Sequence, residues 1–244
     1  MAKAKMIYFL LPVYNEEPNI KALGLDILNF SKKWDIKVVF VNDGSTDNTV
    51  NEISKHFQKI NHKVISLEKN QGPGAAFNEG FKYILSIEKD MDTKVVTMES
   101  DATSDIEILS KMIQISDLDF DLVLASVYAQ GGGFEKTTFF RLFLSRCANG
   151  IIKNLYGIRV NTYTSFYRIY KLSTLNKISN LKIGEITSQN GFLCKLDILR
   201  SAIKVKTSII EVPVKLNSSR RKGKSKMKIW KTIKEYLWYF VSKK

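Results

Sequence analysis

Cysteine, histidine and proline are scarce: the 244 residues hold two cysteines, two histidines and four prolines. Cys147 and Cys194 each stand alone in sequence, which excludes a disulfide framework and a Cys-rich metal cage and suits a reducing, cytoplasmic setting. His56 and His62 fall away from every motif and lack metal-ligand spacing, so neither is assigned a role. No run reaches the roughly 18 uninterrupted apolar residues that a bilayer-spanning helix needs. The apolar stretch behind residues 1–5 is short, is broken by Pro12 and has no small-residue cleavage pattern after it, so it does not read as a signal peptide. Acids are outnumbered, 24 against 38 Lys and Arg, for a formal charge of +14.

Most of that excess sits at one end. From Lys215 to Lys244 there are eleven Lys and Arg against the single acid Glu235, which supplies +10 of the total. Such a block either attracts a polyanion, rests on an anionic lipid surface or is simply solvated. No nucleic-acid reading module accompanies it, so nucleic acid is not an expected partner. With 44% apolar residues the chain can bury a core of one domain. Residues 1–226 read as that domain and 227–244 as a basic amphipathic C-terminal helix. There Trp230, Ile233, Leu237 and Phe240 recur at helical spacing beside Lys228, Lys231 and Lys234. That pattern fits either a membrane-interfacial helix or one packed on the core.

Apolar runs alternate with amphipathic stretches, which predicts an α/β fold with a largely parallel sheet flanked by helices. Strands are expected at 6–13, 37–42, 63–67, 94–98, 122–126, 164–170 and 206–216. Helices are expected at 19–31, 49–60, from Gly72-Pro73-Gly74 to 87, and at 106–115, 138–156, 189–202 and 228–241. Gly131-Gly132-Gly133 reads as a mobile loop. Polar residues gather at the strand ends, where an open α/β sheet binds ligands.

Among these, Glu99-Ser100-Asp101 places two carboxylates two apart at a strand's end, a spacing that points both to one side. Together with substrate phosphates they suit Mg²⁺ or Mn²⁺. Asp43 either receives a base N–H or ribose hydroxyl or caps the next helix. Gly72 and Gly74 either admit a nucleotide or form a turn. Arg141 and Ser145, four apart, share a helix face that either meets one phosphate or is simply capped and solvated at the surface. Arg220-Arg221-Lys222-Gly223-Lys224-Ser225-Lys226 is a basic loop suited to diphosphate oxygens, but without Walker A spacing.

Taken in order, several segments resemble family 2 glycosyltransferases of the GT-A fold, and within them the polyprenyl-phosphate sugar synthases. They are Leu11 through Glu17, Val41-Asn42-Asp43-Gly44-Ser45-Thr46-Asp47-Asn48-Thr49, Asn70 through Gly72 with Ala76, Asn78 and Gly80, and Glu99-Ser100-Asp101 in place of Asp-x-Asp. Downstream they continue with Arg141, Ser145, Ala148-Asn149, Thr164-Ser165-Phe166, Glu211-Val212-Pro213 and the loop from Arg220 to Lys226. The resemblance spans about residues 6–237 and implies a Rossmann-like, nucleotide-diphospho-sugar transferase fold. It further implies an enzyme that moves a hexose, mannose or glucose in type, from a GDP- or UDP-sugar to a polyprenyl phosphate, with inversion, while peripherally associated with the membrane or a separate membrane subunit.

By that resemblance Pro12, Tyr14, Glu16, Asn42, Asp43, Gly72, Ser100 and Asp101 bind the donor, and Glu99, Asp101 and Thr103 surround the metal. Arg141, Ser145, Arg220, Ser225 and Lys226 take the acceptor phosphate, and Asp101, Arg141 and Arg220 carry catalysis. Glu99 stands where Asp is usual, Thr103 where many relatives have Gln, and Val127 where an Arg is frequent. Two alternatives keep the fold: transfer to a saccharide hydroxyl, which needs a base such as Asp101 or an acid between Glu185 and Asp197, or a non-catalytic nucleotide-sugar or lipid-binding subunit.

Overall fold

The computed structural model describes residues 6–135, 150, 152–153, 160–223, 226, 232, 234–236 and 238–239. In chain order the elements are β1 (Ile7–Val13), α1 (Glu17–Ser31), β2 (Ile36–Asn42), α2 (Thr49–His56), β3 (His62–Ser66), α3 (Pro73–Ile87), β4 (Lys94–Thr97) and α4 (Glu107–Ser116). There follow β5 (Leu122–Ser126), β6 (Gly133–Glu135), β7 (Arg168–Lys171), α5 (Leu172–Leu181), α6 (Cys194–Lys204), β8 (Ile209–Pro213), β9 (Lys215–Asn217) and a 3₁₀ turn at Ser218–Arg220. Of the expected 138–156 and 228–241 helices only scattered residues are described, and these are helical. Arg141, Ser145 and Ser225 lie outside the described residues.

Near-continuous apolar runs such as Ile-Tyr-Phe-Leu-Leu in β1 form central strands because helices cover both sheet faces. Alternate residues divide into two cores. Tyr8, Leu10, Val39, Val41 and Val95 pack with Phe77, Phe81 and Ile84 of α3 and with Leu175 and Leu196 of α5 and α6. Phe9, Leu11, Val38, Phe40 and Val96 pack on the other face with Leu23 and Ile27 of α1, Ile53 of α2 and Leu109 and Met112 of α4. The result is a three-layer α/β/α sandwich.

Seven strands pair in the order β3-β2-β1-β4-β7-β5-β8. The sheet is less uniformly parallel than the sequence suggests, since β7 runs antiparallel to both β4 and β5. Alternation of strands and helices cannot reveal that reversal, because a strand's direction in the sheet leaves no mark in its own residues. α5 is an addition to the expected elements: it follows β7 directly, with Lys171 as N-cap and no side-chain capping bond to mark its start. The expected strand at 206–216 is two strands. Pro213 ends β8 on the sheet edge, where a missing N–H is tolerated, and Val214 N donates to Ser126 O at 3.1 Å before the chain leaves for β9. β9 pairs in parallel with β6, so Gly133 belongs to a strand rather than a loop. This small sheet aims the basic segment after β9 toward the domain.

The turn opening α3 depends on close approach of two backbones. A Cβ at Gly74 would lie 1.8 Å from Gln189 O, and Gly74 N donates to Asn190 O at 2.8 Å. The conflict is with backbone, which cannot swing aside as a side chain can. Gly74→Ala is therefore expected to lower stability by about 1–3 kcal/mol, the usual cost of overpacking, despite alanine's better helix propensity. Urea unfolding of both proteins measures this, and an alanine variant as stable as the parent contradicts the packing described.

Candidate active site

Strands β1, β2 and β3 build the sheet outward in one direction, and β4 then joins the opposite side of β1. Such a reversal opens a crevice at the carboxyl ends of the two strands. Register fixes where it opens: β1 pairs with β4 only from Ile7↔Lys94 to Leu10↔Thr97, whereas it stays with β2 to Val13↔Asn42. Pro12 lies past the parting, so its missing N–H removes no ladder bond on the β4 side. Its carbonyl accepts from Ser100 Oγ at 2.8 Å, tying the loop after β4 to the end of β1.

Hydrogen bonds stitch the neighbouring loops into a floor. Asn15, held at φ 53°, accepts from Thr46 N at 2.8 Å and donates its own N–H to Ser45 Oγ at 2.9 Å. Glu16 N donates to Thr49 Oγ1 at 2.8 Å, and Asp47 Oδ1 accepts from Thr49 N at 3.0 Å. The side chain that receives the first-turn amide of α2 is thus Asp47 rather than Asp43. Buried Asp43 instead reaches the third loop, its Oδ1 accepting from Gln71 N at 2.7 Å and its Oδ2 from Gly72 N at 2.9 Å. Gly72 sits at φ +101°, where a Cβ would lie 2.4 Å from Asn190 O. Its glycine is required by turn and packing together. Asn42 Oδ1 accepts from Ser45 N at 2.9 Å within the same floor.

Beyond the parting, Glu99 and Asp101 are held apart in orientation by different partners. Glu99 Oε2 accepts from Ser104 Oγ at 2.9 Å and Oε1 from Phe166 N at 3.3 Å. Asp101, 3% exposed, has Oδ1 bound by Thr103 N at 3.1 Å and Thr103 Oγ1 at 2.6 Å, while Oδ2 pairs with the Arg221 guanidinium. Thr103 therefore orients Asp101 with its hydroxyl. Strand alternation does not govern this pair, because β4 ends at Thr97 and the chain turns through Ala102 at φ 59°. Among the described residues no group of three or more His, Cys, Asp or Glu could hold a metal ion. A cation here would have Glu99, Asp101 and oxygens brought by a ligand. The donor set is all oxygen and already attracts a positive group, which fits a hard divalent cation.

The basic segment lies against these acids. Arg220 pairs with Asp26 of α1 at 2.6 Å, and Arg221 with Asp101. Lys226 is exposed, and its charge, like that of Arg221, acts on Glu16. Burial raises the pKa of Glu16, and the Asn19 hydrogen bond and those two cations oppose the rise without cancelling it. Of the expected acceptor set, then, Arg220 faces α1 and Lys226 faces the floor. Arg221 and Asn19 were not singled out in the sequence, and adjacent arginines offer no signal as to which one turns inward. Tyr14 is half-buried beside the floor. Neither histidine approaches: His62 begins β3, an edge strand, at the end away from the crevice, and His56 ends α2 in contact with Glu52 at 3.0 Å.

Asp43 gives the site a pH signature. Burial raises its pKa, and the two backbone bonds reduce the rise but leave it above the ordinary value. The folded protein then holds this proton more tightly than the unfolded chain, whose aspartate titrates near about 3.9. The Asp43 contribution to stability is present below that value and is lost as pH rises through the folded pKa. Asp43→Asn is expected to remove that slope from a plot of urea midpoint against pH. Above the window it lowers stability by about 1–3 kcal/mol, since the two backbone donors meet different carboxylate oxygens and the amide NH₂ that replaces one of them cannot accept. An unchanged slope contradicts the assignment.

Comparison with known proteins supplies the last observations. A family model described as Glycosyl transferase family 2 matches residues 8–179. The chain is 28% identical over 221 residues to polyprenol monophosphomannose synthase of Mycolicibacterium smegmatis, covering 89% of this chain and 79% of that one. It is 30% identical over 233 residues to dolichol-phosphate mannosyltransferase of Pyrococcus furiosus, covering 93% of this chain and 60% of that longer one. Glucosyl-3-phosphoglycerate synthase from Mycobacterium tuberculosis, solved in complex with Mn²⁺, uridine diphosphate and phosphoglyceric acid, aligns with a TM-score of 0.64 at 15% identity. That alignment covers 93% of this chain and 74% of the other, a likeness that speaks to the fold.

Proposed function

The chain belongs to glycosyl transferase family 2, and on that premise we propose that it moves a hexose from a GDP- or UDP-sugar to a polyprenyl phosphate, with inversion at the anomeric carbon. The observation that carries this reading is the placement of buried Asp101 at the crevice where β1 and β4 part, beside Glu99 and under a basic segment. The relatives that match most of this chain are named for polyprenol and dolichol phosphate acceptors, which supports a lipid phosphate here.

In this reading Pro12, Tyr14, Glu16, Asn42 and Asp43 line the floor for the base and ribose. Asp43 and Gly72 keep the floor's far wall in place through the bonds described above. Glu99 and Asp101 hold Mg²⁺ or Mn²⁺ with Thr103 orienting Asp101; the bound cation supplies charge neutralisation to a departing nucleoside diphosphate. Ser100 fixes the position of that loop against β1. The acceptor phosphate is assigned to Arg141, Ser145, Arg220, Ser225 and Lys226. A phosphate oxygen is already anionic near neutral pH, so the acceptor needs no general base, only alignment for attack. That agrees with the remoteness of both histidines.

A saccharide hydroxyl acceptor is less well supported, since it requires a base. For Asp197 burial favours the neutral acid, yet Lys182, Thr187 and Ser188 together outweigh it and lower the pKa. An acid so held is a weak base. We assign residues 227–244 to the membrane surface or a membrane subunit. Of the described residues there, Tyr239 packs on the core, its hydroxyl accepting from Arg200 at 2.7 Å, while Trp238 is 62% exposed. No helix among the described residues is long and apolar enough to cross a membrane.

The test is transfer from radiolabelled GDP- and UDP-hexoses to a short polyprenyl phosphate in detergent with Mn²⁺. Lipid-linked product is expected with at least one donor. Replacing Glu99 by Gln and Asp101 by Asn together should lower turnover by about 100-fold or more, the scale of losing an electrostatic stabiliser. No product with any donor overturns the acceptor, and full turnover in the folded double variant overturns the metal acids.

A further inference from the structure

Arg221 is held in place by more than its own ion pair. The 3₁₀ turn before it is closed by Asn217, whose side chain accepts from Ser219 N at 3.1 Å. After it, Lys222 is clamped to the first turn of α1: Lys222 N donates to Asn19 Oδ1 at 2.8 Å, and Asn19 Nδ2 donates back to Lys222 O at 3.1 Å. Asn19 is 2% exposed and also donates to Glu16 Oε2 at 2.6 Å. The backbone on one side of Arg221 is thus fixed to the same loop that carries the donor floor. Its guanidinium then meets the one oxygen of Asp101 that Thr103 does not occupy.

A divalent cation that uses Asp101 must reach that same Oδ2. Two positive groups on one buried carboxylate oxygen repel strongly, because little solvent screens them. The guanidinium must therefore give way, and its planar fork suits phosphate as well as carboxylate. Resting on the reading of Asp101 as a metal acid, we propose that Arg221 competes with the cation for Asp101 when the cation arrives alone. When a nucleoside diphosphate arrives with it, Arg221 transfers to the diphosphate. Arg221 is then a donor-phosphate residue as well as the counter-ion of Asp101, and it makes metal and nucleotide binding mutually dependent. By linkage each strengthens the other by the same factor.

The experiment titrates Mn²⁺ into the full chain and follows free Mn²⁺ by electron paramagnetic resonance, alone and with saturating UDP or GDP. The parent protein is expected to bind Mn²⁺ weakly alone and at least tenfold more tightly with a nucleotide. Arg221→Met should bind Mn²⁺ alone about tenfold more tightly than the parent, the scale of losing one partly buried competitor, and should lose most of the enhancement by nucleotide. Lys215→Ala removes an exposed charge of the same terminal block, on β9 beside Glu135, and should leave both titrations as in the parent. Thermal unfolding of each variant checks that it is folded. Arg221→Met with parental Mn²⁺ affinity and parental enhancement overturns the exchange, as does Lys215→Ala matching Arg221→Met, which reduces the effect to general charge. Asp101→Asn separates the two levels: if it leaves Mn²⁺ binding unchanged, the metal-acid reading itself is wrong, whereas lost Mn²⁺ binding with an inert Arg221→Met condemns the exchange alone.

Discussion

The parting of β1 from β4 is the constraint on which the site depends. While the two strands remain paired, their backbone groups satisfy each other; past Leu10 and Thr97 they must find other partners. Ser100 Oγ at Pro12 O is one such partner, whereas on the β2 side the pairing continues to Asp43 N at Val13 O, at 2.9 Å. A crevice that forms where backbone pairing ends is lined by polar loops for this reason. It also explains how a proline sits near the end of an interior strand without breaking the sheet.

Polar residues of this crevice also hold it together. Asp43 bridges two loops, Asn15 joins the loops after β1 and β2, and Thr103 fixes Asp101. Their carboxylate and amide oxygens are committed by backbone donors before any ligand is considered, so orientation is set by the fold. The basic segment joins the same network through Asn19 and Lys222. Part of the chain's large positive excess is thereby balanced internally, with Arg220 on Asp26 and Arg221 on Asp101, instead of being presented wholly to solvent or lipid. In the terminal segment Tyr239 packs against the domain and Trp238 is exposed.

Much of this was legible beforehand. Strands β1 to β5 and helices α1, α3 and α4 fall within a few residues of their expected positions, because each is a strongly apolar or amphipathic run bounded by Gly, Pro, Asp or Asn. The elements that escaped lack such punctuation. α5 begins without a cap, β7 enters the sheet in the opposite direction, and Gly133 pairs with Lys215 from a distant part of the chain. None of these leaves a local pattern, since each is decided by what lies beside it in space.

The same division holds for the site. Local sequence by itself determined that acids and turn residues would stand at the ends of buried strands, because hydrophobic runs and Gly/Asp turns encode that spacing directly. Only the tertiary structure decided that Asp43 holds Gln71 and Gly72, that Thr103 turns toward Asp101, and that Arg221 rather than Arg220 reaches the buried acid. Those choices rest on contacts between segments up to 203 residues apart, such as Asn19 with Lys222, whose geometry no local pattern contains.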